Sequence, residues 1–198
     1  VPEKGMIRAS LPFALMLALA ACGSGTDAPS AKGEQSADQV PESRLADAKV
    51  VVDSNGLAVR QGGAREAPRF GTPRGEVDAL LTVAFGDQPQ KSSNAECGIG
   101  PADFSQSGPL QIAYQDGKFV GWFLGEGEGV VTGDGIRPGA SMAALRDERP
   151  VQIIADSTLE GEFQYESADY GMITGFFSGS PTEGKITGLA SGMTCFFR

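Results

Sequence analysis

The pattern of apolar and polar positions divides the chain into three stretches. Leu11-Pro12-Phe13-Ala14-Leu15-Met16-Leu17-Ala18-Leu19-Ala20 is a continuous apolar run behind one positive residue, Arg8. A permanent membrane-spanning helix needs about 20 such residues, so this shorter run reads as the core of a secretion signal. From Gly23 to about Ala46, large apolar residues almost vanish among Gly, Ser, Ala, Pro, Asp, Glu and Gln. Such a composition cannot offset the entropy of ordering the chain. A folded body begins near Asp47.

Within the body, one segment carries a clear helical period. Val77, Leu80, Leu81, Ala84 and Phe85 share one face. Thr72 is expected as the cap, Pro73 as a first residue that needs no amide donor, and Gly86 as a left-handed stop. A shorter helix is expected over 138–147, with Met142 and Leu145 inward and Pro150 barring continuation. Strands are expected at 49–52, 57–60, 110–115, 118–124, 151–155, 161–165, 171–177, 184–189 and 193–197, spaced as an antiparallel meander. Asp116-Gly117 predicts a tight hairpin with positive φ at both central positions, and Asp53-Ser54-Asn55-Gly56 a second turn.

The body also repeats itself. Asp116-Gly117-Lys118-Phe119-Val120-Gly121 returns as Glu183-Gly184-Lys185-Ile186-Thr187-Gly188 at an offset of 67, and 73–80 aligns with 138–145 at an offset of 65. The expected fold is therefore α+β: two tandem repeats, about 47–130 and 131–198, each a short helix followed by an antiparallel β-meander.

Strand alternation over 119–124 sends Phe119 and Phe123 to one face and Val120, Trp122 and Leu124 to the other, so both faces are apolar. Phe176-Phe177 and Phe196-Phe197 repeat this two-sided pattern. If helices cover one face only, the other presents aromatic side chains over glycines, a surface suited to protein contact. Trp122, Phe123, Tyr165, Tyr170 and Phe177 are the candidate contacts. The alternative is that the half-sheets or a loop cover this face.

Composition narrows the chemistry. Glycine, 28 of 198 residues, is about twice as frequent as usual and favours tight turns and short strands. The chain has no histidine, which removes imidazole bases, imidazole metal ligands and Ser/His/Asp triads. A formal charge of −9 argues against nucleic acid. There is no Cys-x-x-Cys, so no metal site and no cofactor are expected. Gly125-Glu126-Gly127-Glu128-Gly129 lacks the Lys-Ser/Thr of a phosphate loop and the Asp/Asn spacing of a calcium loop, and reads as a hairpin connection. Glu160, Glu162 and Glu166 read as a solvated face. An enzyme built on carboxylates would require two pKa-shifted carboxylates facing one cleft, and none is expected.

Leu19-Ala20-Ala21-Cys22 resembles the bacterial lipobox. The resemblance implies a signal peptide over 1–21 (with Met6 as its natural start), a lipid on Cys22, a tether over 22–46 and the folded body over 47–198. Two or three acyl chains make a durable anchor, because each buried methylene contributes about 0.8 kcal/mol. It also implies a bacterial cell envelope location facing the periplasm or exterior. Gly23, in place of Asp, resembles the sorting signal for the outer membrane of a Gram-negative host. With Cys22 lipidated, Cys97 and Cys195 remain, and in an oxidising envelope they are expected to bridge; two buried free thiols are the alternative.

The helix entered through Pro and Gly and closed by Phe85-Gly86-Asp87-Gln88-Pro89, followed by a meander and doubled, resembles the β-lactamase-inhibitor-protein architecture. Its single unit is similar to the small lipoprotein of the outer-membrane barrel-assembly machine. Glu96-Cys97-Gly98-Ile99-Gly100-Pro101, with Asp103-Phe104 and Gly121-Trp122, resembles envelope lipoproteins without a known activity. Together with the apolar sheet face, these likenesses imply a non-enzymatic, membrane-anchored protein that binds another protein, as an envelope-assembly accessory or an inhibitor-like module. The alternative is a small-ligand binder for a lipid or glycan fragment, favoured by aromatic residues around a curved sheet.

Overall fold

The computed structural model describes residues 45–61 and 64–196. The expected leader and Cys22 lie outside the described residues, as does most of the expected tether. Among the described residues, no helix is long and apolar enough to cross a membrane. Over the described residues the architecture is α+β, mostly sheet, with two helices packed in the body. In chain order the elements are β1 (Val50–Asp53), β2 (Gly56–Gln61), β3 (Ala64–Glu66), α1 (Arg74–Phe85), β4 (Gln90–Asn94), β5 (Ala102–Ser107), β6 (Leu110–Gln115), β7 (Lys118–Leu124), β8 (Val130–Thr132), α2 (Met142–Glu148), β9 (Val151–Ile153), β10 (Glu162–Glu166), β11 (Met172–Ser178) and β12 (Lys185–Gly192).

They form two sheets. The smaller has the order β3-β2-β1-β8, in which β8 runs parallel to β1. The larger has the order β4-β5-β6-β7-β12-β11-β10-β9 and is antiparallel throughout. Two four-stranded meanders, β4–β7 and β9–β12, thus meet along β7 and β12.

The helical period of α1 places Val77 and Leu81 in the core, with Leu80, Ala84 and Phe85 packed beside them. Thr72 does not cap this helix: Pro73 stands at the cap position and no side chain caps the first turn. Gly86, at φ 89°, ends it and donates its N–H to the Thr82 carbonyl. The second helix begins at Met142, later than expected, because Ser141 supplies the capping hydroxyl to the Ala144 amide at 3.1 Å.

Both helices are seated on the large sheet by the same backbone bonds. Gly71 N–H donates to the Phe119 carbonyl (2.7 Å), Phe119 N–H to Thr72 (2.9 Å) and Arg74 N–H to Gly117 (2.9 Å). Ahead of α2, Gly139 N–H donates to Ile186 (2.7 Å), Ile186 N–H to Ala140 (2.9 Å) and Met142 N–H to Gly184 (2.9 Å).

A β-bulge in each meander resets the alternation. Ala113 faces Gly121 but Tyr114 faces Phe119, so Val120 is the extra residue in β7. Phe176 faces Gly188 but Phe177 faces Ile186, so Thr187 is the extra residue in β12. The expected partition of 119–124 is corrected accordingly: Phe119 joins Trp122 and Leu124 on the inner face, while Val120 and Phe123 lie on the outer face.

The inner face carries the main core. Leu110, Ile112, Phe119, Trp122, Ile173 and Leu189 are fully buried there against residues of both helices and of β1 and β2. Trp122 Nε1 donates to the Asp53 carbonyl at 2.8 Å, and the Ser191 hydroxyl to the Ser54 carbonyl at 2.5 Å, fastening the β1–β2 turn to the large sheet.

On the outer face a smaller cluster gathers Cys97, Ala102, Phe104 and Ala113, with Val120 and Cys195 beside them. The chain after β12 turns back over this cluster. Met193 N–H donates to the Val120 carbonyl at 2.8 Å. A Cβ on Gly121 would lie 2.0 Å from the Met193 oxygen, so this crossing requires glycine. Cys97 and Cys195 are disulfide-bonded, with Cα atoms 4.8 Å apart and a sequence separation of 98. The strand expected at 193–197 is absent over its described residues: β12 extends to Gly192 instead, and the disulfide, not a ladder, holds the segment beyond it.

Candidate functional site

Of the five expected contact residues, three are internal. Trp122 is fully buried, Tyr165 is stacked on Phe163 in the core (centroids 6.5 Å apart), and Phe177 packs against the same phenylalanine. They are corrected here to core residues, because the helices and the small sheet lie on their side of the large sheet. Phe123 is half-exposed on the outer face. Tyr170 is 86% exposed at the β10–β11 turn, with φ at 60°.

The outer face brings together a different set of aromatic residues. Phe196 meets Phe123 at 5.8 Å and Phe176 at 5.0 Å between ring centroids, both edge to face. Gly188 lies beneath, where a Cβ would stand 2.8 Å from the Phe123 ring. All three rings are half-exposed, and Met172 and Met193 add exposed thioethers nearby in sequence. A groove of about 460 Å³ runs on one side of Phe196 between Phe104, Pro109 and Gln111. Another of about 280 Å³ lies on its other side between Leu159, Phe176 and Thr187. Sequence alternation missed Phe176 and Phe196 as a pair, although the doubled aromatics at 176–177 and 196–197 carried the signal.

Glu160 and Glu166 are exposed as expected, but Glu162 is 3% exposed and accepts the Ser157 hydroxyl, so these three are not one solvated face. Among the described residues, no group of His, Cys, Asp and Glu could hold a metal ion.

A cleft that the sequence did not announce lies on the small sheet, with a volume of about 380 Å³. Asp53 at the end of β1, Asp134 after β8 and Asp169 at the β10–β11 turn line it, together with Arg60, Arg65 and Arg69. Burial raises the Asp53 pKa above the usual 3.8, and the charge of Asp169 adds to this, against Arg69 and Arg65. Burial likewise raises Asp134, against the Ala168 amide and Arg149. For Asp169 burial is outweighed by hydrogen bonds from Ser167 and Ser54, and its carboxyl sits below the usual value. Two carboxylates with raised pKa values therefore face one cleft, which the spacing of the sequence did not predict.

No protein-family model matches the chain, and no curated protein and no solved structure does so at a significant level.

Proposed function

We propose that this chain is a lipid-anchored protein of the bacterial cell envelope, held in the membrane through Cys22, that binds another protein on the outer face of its large sheet. The observation that carries the reading is the cluster of Phe123, Phe176 and Phe196, half-exposed and flanked by two grooves. Clustered aromatics beside pockets are where protein interfaces concentrate binding energy, and methionine adapts to partners of varied shape. The Cys97–Cys195 disulfide supports an oxidising compartment.

The same reading treats the body as an ancient duplication. Its supports are the matched bonds that seat α1 and α2 and the bulges at Val120 and Thr187. By those bonds Arg74 corresponds to Met142, an offset of 68, so the helices align three residues away from the offset of 65 suggested by Pro73 and Pro138.

The function is read as binding, not catalysis. Asp53 is opposed by Arg69 at 3.8 Å and Asp134 by Arg149 at 2.7 Å, an arrangement that holds charge in place. Photo-crosslinking tests the proposal in the full-length, membrane-extracted chain. A reactive residue at Thr174 on the outer face yields a discrete protein adduct, and one at Val83 on the exposed side of α1 does not. Phe176→Ala lowers recovery of the adduct roughly tenfold while the chain stays folded. Equal adducts from the two positions, or none from Thr174, overturn the docking face. The mass of the mature terminal peptide tests the lipid separately.

A further inference from the structure

The cleft on the small sheet is remote in composition from the aromatic face: it is walled by charge. Three loops build it and are locked to one another. Ser54 donates to Asp169 through its amide (3.2 Å) and hydroxyl (2.7 Å), Ala168 N–H donates to Asp134 Oδ1 (2.9 Å), and Gly133 N–H donates to the Val52 carbonyl (3.0 Å). Such cross-linked loops present a wall whose geometry is set before anything binds.

Two features of this wall are incomplete. Asp134 is 1% exposed; its Oδ1 is taken by Arg149 and Ala168, but its buried Oδ2 accepts no hydrogen bond. A buried acceptor without a donor is uncommon because its desolvation is not offset. In the same cleft, Arg60 and Arg65 stand opposite each other on β2 and β3, are exposed, and form no ion pair within 4 Å among the described residues. In a chain of net charge −9, three arginines gathered in one cleft depart from the overall sign. Tyr170, next in sequence to Asp169, holds a left-handed backbone that disfavours large side chains, and its ring lies in solvent.

We propose that this cleft binds a small zwitterion, an amino acid or a short peptide with free termini, placing its ammonium group against Asp134 and Asp53 and its carboxylate against Arg60 and Arg65. An ammonium group has three donors, which the Asp53 and Asp134 side chains lining the cleft can accept. A guanidinium matches a carboxylate with two parallel donors. A neutral lipid tail satisfies neither set of charges, and a simple anion satisfies only one.

Calorimetric titration of the full-length chain with alanylalanine, N-acetyl-alanylalanine and alanylalanine amide tests this assignment. The free dipeptide binds saturably, and each blocked form binds at least roughly tenfold more weakly. Arg60→Gln combined with Arg65→Gln abolishes the preference for the free carboxylate while keeping the preference for the free amine; both positions are exposed, so the fold survives. Asp134→Asn abolishes the preference for the free amine. The assignment is overturned if alanylalanine gives no saturable signal at about 10 mM, if the blocked forms bind equally well, or if the double arginine variant discriminates like the wild type. None of these outcomes bears on crosslinking from Thr174, so this site and the docking face stand or fall separately.

Discussion

Trp122 and Phe123 are neighbours in β7 and face opposite sides of one sheet, and the two sides have different fates. On the inner side the indole is fully buried and its N–H reaches the Asp53 carbonyl. On the outer side the phenyl ring remains half-exposed, touching Phe196 and lying over Gly188. The strand is apolar on both faces, so hydrophobicity alone does not separate them. What separates them is cover: two helices and a second sheet on one side, and on the other mainly the segment after β12 and the loop bearing Cys97, joined by one disulfide.

The contrast is open to test, and the largest effect belongs to the inner face. Trp122→Ala is expected to cost about 3–5 kcal/mol, because it opens a cavity in the core and leaves the Asp53 carbonyl unpaired. Phe123→Ala, one residue away, is expected to cost about 1–2 kcal/mol, since its ring is already partly in water. Denaturant unfolding of the two variants side by side reads the difference, and equal losses would mean that the two faces contribute equally to stability.

Next in size is the double change Cys97→Ser and Cys195→Ser. Releasing so long a loop is expected to cost about 2–4 kcal/mol and to bare the outer cluster around Phe104 and Ala113. A rise in binding of an environment-sensitive dye, alongside the lower midpoint, is the expected signature. Loss of stability without new apolar exposure would show that the C-terminal segment stays seated unaided.

The smallest effect concerns acid. Asp53, whose carbonyl anchors Trp122, and Asp134 both have raised pKa values in the folded chain. As pH falls from neutral towards about 4, the folded state takes up these protons before the unfolded chain does, so stability rises. Below the usual 3.8 the trend reverses, because Asp169 has a lowered pKa and its contribution is lost as it protonates. A thermal midpoint that peaks in mild acid, with a shallower rise in Asp53→Asn, is expected; a steady decline from neutral pH downward would contradict it.

Local signals were legible where local physics decides. Asp116 and Gly117 do adopt φ 51° and 70°, Gly86 does stop α1, and Val77 and Leu81 do face inward. Alternation failed at Val120, because a bulge depends on the partner strand and leaves no mark in its own. β4, with Gln90, Lys91, Ser92, Ser93 and Asn94 all exposed, has no apolar period to reveal it, and β8 is only three residues long. The charged cleft was invisible for a different reason. Ser54 and Asp169, which lock its wall, stand 115 residues apart, so only the folded topology joins them.

The bond between Cys97 and Cys195 encloses every strand of the large sheet except β4. A protease that nicks any connection inside that ring leaves both pieces tied together, and the severed ends stay close enough to re-form their ladders. Exposed turns such as those at Gly127 and Tyr170 can therefore be cut without shedding a fragment, a form of durability that rests on covalent closure instead of resistance to cleavage.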